Sequence, residues 1–182
     1  KMSKSRGTFI TAKTYSELLD PEYLRYYLAA KLNGSVDDVD FNLEDFVLRT
    51  NSDLVGKVIN IASRCSGFIE KNFDNTLSNS IDNQVLLDDL LAQTETIASY
   101  YEQNDTSKAV REIMSLADLC NQYIAEKEPW KIIKDKNRVD EVQQVCSLGI
   151  NLFRILMAYL KPILPELASK AELFLNCAPL DW

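Results

Sequence analysis

The chain of 182 residues contains no histidine, and that single absence removes much of ordinary enzyme chemistry. Histidine is the commonest general acid–base group, the usual partner of a nucleophilic serine or cysteine, and a frequent metal ligand. Glycine is scarce too: five residues are dispersed along the chain, so no glycine-rich loop can cradle a phosphate. The four cysteines, Cys65, Cys120, Cys146 and Cys177, lie far apart with no CxxC pair. That spacing argues against zinc and reads as buried free thiols among apolar neighbours. No apolar run approaches the length of a membrane span, and no signal-peptide pattern is present. The expectation is a cytoplasmic protein with no membrane partner and no metal site.

The composition, 46% hydrophobic and 26% charged, is that of an ordinary globular chain long enough for one or two small domains. The net charge of −7 argues against a globally basic surface for nucleic acid. The cations are nevertheless bunched. Residues 1–34 carry six against three carboxylates, and residues 127–138 carry five against two. Each zone could touch RNA at chosen points or be solvated surface.

Residues 8–12 have strand propensity, and Val39-Asp40-Phe41 alternates briefly. Between them, Asp20-Pro21 provides an N-cap and a first-turn proline for a helix running to Leu32, ended by Asn33-Gly34. From Leu43 onward the pattern is helical. Val47, Leu54, Val58, Ile61, Cys65 and Phe68 form the stripe of one long helix. Further stripes run Leu87 to Tyr101, Val110 to Ile124 (with Asp105 and Thr106 as caps) and Val142 to Tyr159. A break at Lys161-Pro162 precedes a last helix to Leu175. Residues 72–83, rich in Asn, Ser and Asp, make the longest loop. The predicted fold is mainly α: a small α+β module over residues 1–42, then an antiparallel helix bundle over residues 43–182.

Three places carry chemistry. Lys1-Met2-Ser3-Lys4-Ser5 is a cationic, hydroxyl-rich loop suited to a polyphosphate. On the long helix, at about 100° per residue, Asn60 and Arg64 fall roughly 100° and 60° to one side of Ile61, one turn apart on the flank of the apolar stripe. An amide beside a guanidinium fork can read base edges, though a surface pair with no partner has the same pattern. Pro129-Trp130 sets a rigid turn before a large indole, which is either a stacking platform for an unpaired base or a staple in the bundle.

The pentapeptide Lys1–Ser5 matches the KMSKS signature of class I aminoacyl-tRNA synthetases. Beyond it the chain resembles the bacterial methionyl-tRNA synthetase family over Lys1 to Leu32, Asp40 to Arg64, Lys108 to Leu116, Glu128-Pro129-Trp130 and Gly149 to Pro165. The resemblance implies a C-terminal portion of a methionine–tRNA ligase, with an anticodon-binding bundle behind the KMSKS loop and a stem-contacting connective module. It implies that Lys1, Met2, Ser3, Lys4 and Ser5 close on ATP and its Mg2+ in the whole enzyme. Lys4, helped by Lys1, would stabilise charge on the triphosphate during adenylation. It further implies that Asn60, Arg64, Pro129 and Trp130 recognise the CAU anticodon loop of tRNA(Met). The two-histidine signature and the Rossmann-type catalytic half are not in this sequence. The expected partners are therefore tRNA(Met) and that N-terminal catalytic domain, and the piece alone is expected to be inactive and to hold no cofactor tightly. Dimerisation that depends on an appended C-terminal tRNA-binding domain is not expected from this sequence. Two alternatives stand: the equivalent part of another class I synthetase, such as one for cysteine or leucine, and a helical protein-interaction scaffold.

Overall fold

The computed structural model describes residues 11–35, 39 and 41–181. Among them every regular element is helical. Helix α1 (Ala12–Ser16) and α2 (Pro21–Ala29) come first, then a continuous helical rod of α3 (Leu43–Arg49), a π-helical segment (Thr50–Ile59) and α4 (Asn60–Phe73). Helices α5 (Gln84–Leu91), α6 (Thr94–Glu102), α7 (Thr106–Lys127), the short α8 (Pro129–Ile132), α9 (Val139–Leu160) and α10 (Pro165–Leu175) complete the bundle.

The caps fall where local chemistry puts them. Asp20 accepts from the Glu22 N–H at 2.9 Å with Pro21 in the first turn of α2. Asp105 caps α7. Asp74 ends α4 in the left-handed conformation, which an acidic short side chain tolerates. The strand expected over residues 8–12 is not formed where it is described: Thr11 caps α1 through the Thr14 N–H at 3.0 Å, and Ala12 is helical. Val39 and Phe41 are irregular. The stripe from Leu87 to Tyr101 is two helices, not one, with Leu90 and Ile97 buried and Leu91 49% exposed.

The long rod departs from 3.6-residue periodicity in an instructive way. The Asn60 N–H reaches back to the Val55 carbonyl, an i→i+5 bond that widens the turn. Burial recurs every four residues at Phe46, Thr50, Leu54 and Val58, then shifts by a three-residue step to Ile61, Cys65 and Ile69. Val47, expected on the buried stripe, is 47% exposed because the wide turns rotate Phe46 inward in its place.

Helix α9 is the axis of the core and packs against α4, α5, α7, α8 and α10. Val142, Val145, Cys146, Leu148, Leu152, Leu156, Met157 and Leu160 are all fully buried along it. Its crossing with α4 is close at Gly149, where a Cβ would sit 2.5 Å from Cys65 Sγ and would have to displace that thiol. The first module is tied to this core. The Glu22 carboxylate accepts from the Glu166 and Leu167 N–H groups at 2.6 and 2.8 Å, supplying the cap that α10 lacks locally. Arg25 donates to the Ile163 carbonyl at 2.9 Å and to that of Pro162 at 3.2 Å.

Candidate nucleic-acid interface

Helix α7 ends abruptly. Glu128 adopts φ 47°, ψ 56°, its N–H bonds the Ile124 carbonyl at 3.1 Å, and Pro129 starts α8 in the next position. Left-handed backbone at a non-glycine residue is costly and persists only where its surroundings hold it. Here Pro129 is buried, and Trp130 follows, 37% exposed. The turn therefore fixes an indole at the surface instead of inserting it as a core staple. The buried Pro129 anchors the turn from which the indole extends.

Arg64 projects from α4 over that indole, its guanidinium carbon 4.8 Å from the ring centroid. The separation is within cation–π range. One Arg64 N–H also reaches the Asn121 carbonyl on α7 at 3.4 Å. Asn60, one turn earlier, donates from Nδ2 to Asn121 Oδ1 at 3.0 Å. Asn121 in turn donates from its own Nδ2 to the carbonyls of Lys57, at 3.0 Å, and Ala117, at 2.9 Å. Asn60, Arg64 and Trp130 are thus assembled on one face where α4, α7 and α8 meet, with Asn121 linking them.

Asn121 is the residue that sequence reasoning missed. It lies just past Cys120 on the flank of the α7 stripe, and apart from the Ala117 carbonyl on its own helix its partners, Lys57, Asn60 and Arg64, are remote in sequence. The one available signal was a short amide bordering an apolar stripe. Asn60 Oδ1 accepts no hydrogen bond among the described residues. Asn60 is half-buried, and its Oδ1 is not among the fully buried unpaired side-chain atoms of the described residues, which are Arg49 Nε and Thr50 Oγ1.

Much of the surrounding charge is used internally. Lys127 pairs with Asp82 at 2.8 Å, Lys131 with Glu128 at 2.6 Å, and Arg138 with Glu141 at 2.8 Å. Lys134 and Lys136 are exposed with no ion pair among the described residues. In the first basic zone, Arg25 holds the α9–α10 loop and Lys31 pairs with Asp45 at 2.8 Å. Lys1, Met2, Ser3, Lys4 and Ser5, the expected ATP loop, lie outside the described residues, as do Arg6 and residues 8–10 of the expected strand.

Two of the buried cysteines, Cys65 and Cys120, offer no competing chemistry. Cys65, Cys120 and Cys146 are buried and free, while Cys177 is half-buried. The contact with Cys146 and burial push the Cys65 thiol far up, and burial pushes Cys120 up to about 12. Such thiols stay protonated and unreactive. Among the described residues no group of acidic or thiol side chains could hold a metal, and no helix is long and apolar enough to cross a membrane.

Comparison with known proteins adds an independent line. A family model described as tRNA synthetases class I (M) matches residues 1–66. A second, the anticodon binding domain of methionyl tRNA ligase, matches residues 76–182. Among solved structures, methionyl-tRNA synthetase of Mycobacterium tuberculosis bound by methionyl-adenylate is 25% identical with a TM-score of 0.88, over 98% of this chain and 36% of that one. The apo form of the same organism's enzyme is 24% identical with a TM-score of 0.79, over 90% and 34%. A further complex with methionyl-adenylate is 22% identical, again at 0.79, over 97% and 37%. The chain spans little more than a third of the length of these structures.

Proposed function

The chain belongs to the methionyl-tRNA ligase anticodon-binding family, and from that premise we propose that it reads the CAU anticodon loop of tRNA(Met) within a methionine–tRNA ligase. The observation that carries this reading is the indole of Trp130, held at the surface by Pro129 and faced by the Arg64 guanidinium at 4.8 Å, with Asn60 alongside. An unpaired base stacks on a rigid indole irrespective of its identity, and an amide and a guanidinium beside it read hydrogen-bonding edges. In this reading residues 43–182 recognise the anticodon loop and residues 1–42 connect them to a catalytic domain.

The whole enzyme would adenylate methionine with ATP and Mg2+ and pass it to tRNA. Lys4, assisted by Lys1, would offset the negative charge that builds on the triphosphate as the methionine carboxylate attacks the α-phosphorus and pyrophosphate leaves. Met2, Ser3 and Ser5 would complete that loop around the nucleotide. The cytoplasm, where protein synthesis consumes the product, is the expected compartment.

The test is a titration of the chain carrying Trp182→Phe, so that Trp130 is its remaining indole, with an anticodon stem-loop bearing CAU and one bearing UAU. Saturable quenching by CAU, and much weaker quenching by UAU, is expected. Equal binding of both would remove the anticodon role and leave only a general affinity for RNA.

A further inference from the structure

A side-chain amide can be turned either way, and Asn60 would recognise opposite base edges in its two orientations. The hydrogen bonds around Asn121 settle which one faces outward. Asn121 lies between two backbone carbonyls, Lys57 O at 3.0 Å and Ala117 O at 2.9 Å, both of which can only accept. Its Nδ2 must face them, because a flipped amide would set Oδ1 against two carbonyl oxygens. Its Oδ1 is then the group left for Asn60, and it can only accept. Asn60 therefore turns Nδ2 toward Asn121, at 3.0 Å, and its Oδ1 away from it.

We propose that Asn121 is a positioning residue: it locks Asn60 with its carbonyl oxygen outward and so restricts the base read there to one bearing an exocyclic amine. This rests on the anticodon reading above. An outward Oδ1 accepts from cytosine N4 or adenine N6 and is repelled by the oxygen that uracil or hypoxanthine carries in the same place. The selectivity thus comes from an amide that touches no RNA, acting through one that does. The fixed carbonyls of Lys57 and Ala117 are backbone groups, so the orientation is set by the helices themselves.

The experiment measures binding of labelled stem-loops bearing CAU, UAU (cytosine to uracil) and CIU (adenine to inosine) to four chains: the parent, Asn121→Ala, Asn60→Ala and the double variant. The parent is expected to disfavour the RNA that loses the amine read by Asn60 by roughly tenfold or more. Asn121→Ala should lose most of that preference while still quenching Trp130, and should lower it no further in the Asn60→Ala background. An Asn121→Ala chain as selective as the parent would overturn the inference. So would a loss of preference of equal size in both backgrounds, which would signal a merely structural role. A parent indifferent to both base changes would take down the base-reading function, and this inference with it. Should Asn121→Ala unfold, amide-proton exchange in the parent decides: both Asn121 Nδ2 protons should exchange slowly, and fast exchange of either contradicts the locked geometry.

Discussion

Removing the Trp130 ring should weaken binding of a CAU stem-loop by about 1–3 kcal/mol, the worth of one base stacked on an aromatic side chain. At about 1.4 kcal/mol per tenfold, that is roughly a 5- to 150-fold rise in Kd. The ring is 37% exposed and one face already lies against Arg64, so a base can take only what is open. The Arg64–Trp130 contact exists before RNA arrives, so its own strength largely cancels from the binding difference. Its loss acts differently: without the indole, Arg64 keeps only the long 3.4 Å bond to the Asn121 carbonyl and must be ordered on binding. Ordering a long side chain costs about 0.5–1.5 kcal/mol, which places Trp130→Ala toward the upper half of the range. Trp130→Phe, smaller but still aromatic, should recover part of the loss. Arg64→Ala should cost a comparable amount and relax base preference. Fluorescence anisotropy at one fixed salt concentration is the assay, because phosphate contacts shift steeply with salt. A folded Trp130→Ala chain that binds within about twofold of the parent would refute the stacking argument.

Three further outcomes follow from the packing. Gly149→Ala forces a Cβ to 2.5 Å from Cys65 Sγ and should destabilise by about 1–3 kcal/mol; adding Cys65→Ala should restore most of it, and failure to do so in urea unfolding would show that the crossing is not the cause. Glu22→Ala strips the cap from α10, leaving the Glu166 and Leu167 N–H groups unpaired, and should cost about 1–3 kcal/mol, a fall in Tm of roughly 2–12 °C by calorimetry; an unchanged Tm would mean water replaces the carboxylate. The bond from Lys161, and then that from the Leu180 N–H, hold Glu172 below its ordinary value of 4.5, so the clamp on Leu180 is fully present above that value and is lost as pH falls through the lowered one; a Leu180 amide resonance titrating at or above 4.5 would contradict this.

What could be read from the sequence was local. The Asp20-Pro21 start of α2 and the Asp105 cap of α7 depend on side chains reaching amides a few residues away, so they are visible in any window. Asn60, Arg64 and Trp130 were found by spacing and resemblance, and the structure brings them together. The burial of Phe46 in place of Val47 was hidden because the wheel assumes 3.6 residues per turn, and the π-helical stretch does not obey it. Asn121 was hidden for another reason: its function lies in contacts with Lys57 and Asn60, on a helix that its own neighbourhood does not mention. The same holds for Glu22, which sits in the first turn of its own helix while its carboxylate caps α10.

The proposed recognition surface is small, and its rigidity compensates for that. Arg64 immediately precedes Cys65, which faces Gly149 where α4 and α9 cross with no room for a Cβ between them, so its Cα is placed by a close helix crossing. Trp130 follows a left-handed residue and a buried proline, so its position is set by the end of α7. Asn121 joins the two through Asn60 and through its own carbonyl. Groups fixed by helices and by one another surrender little freedom when a ligand arrives, and each side chain spared that ordering saves about 0.5–1.5 kcal/mol. A few contacts can then discriminate between bases, since a wrong base meets an unyielding Oδ1 and cannot induce it to turn. The same rigidity exposes the surface to distant damage. A shift of even a few tenths of an ångström at the α4–α9 crossing would move Arg64 relative to an indole held by a different helix, so a core substitution there should impair RNA selectivity as well as stability.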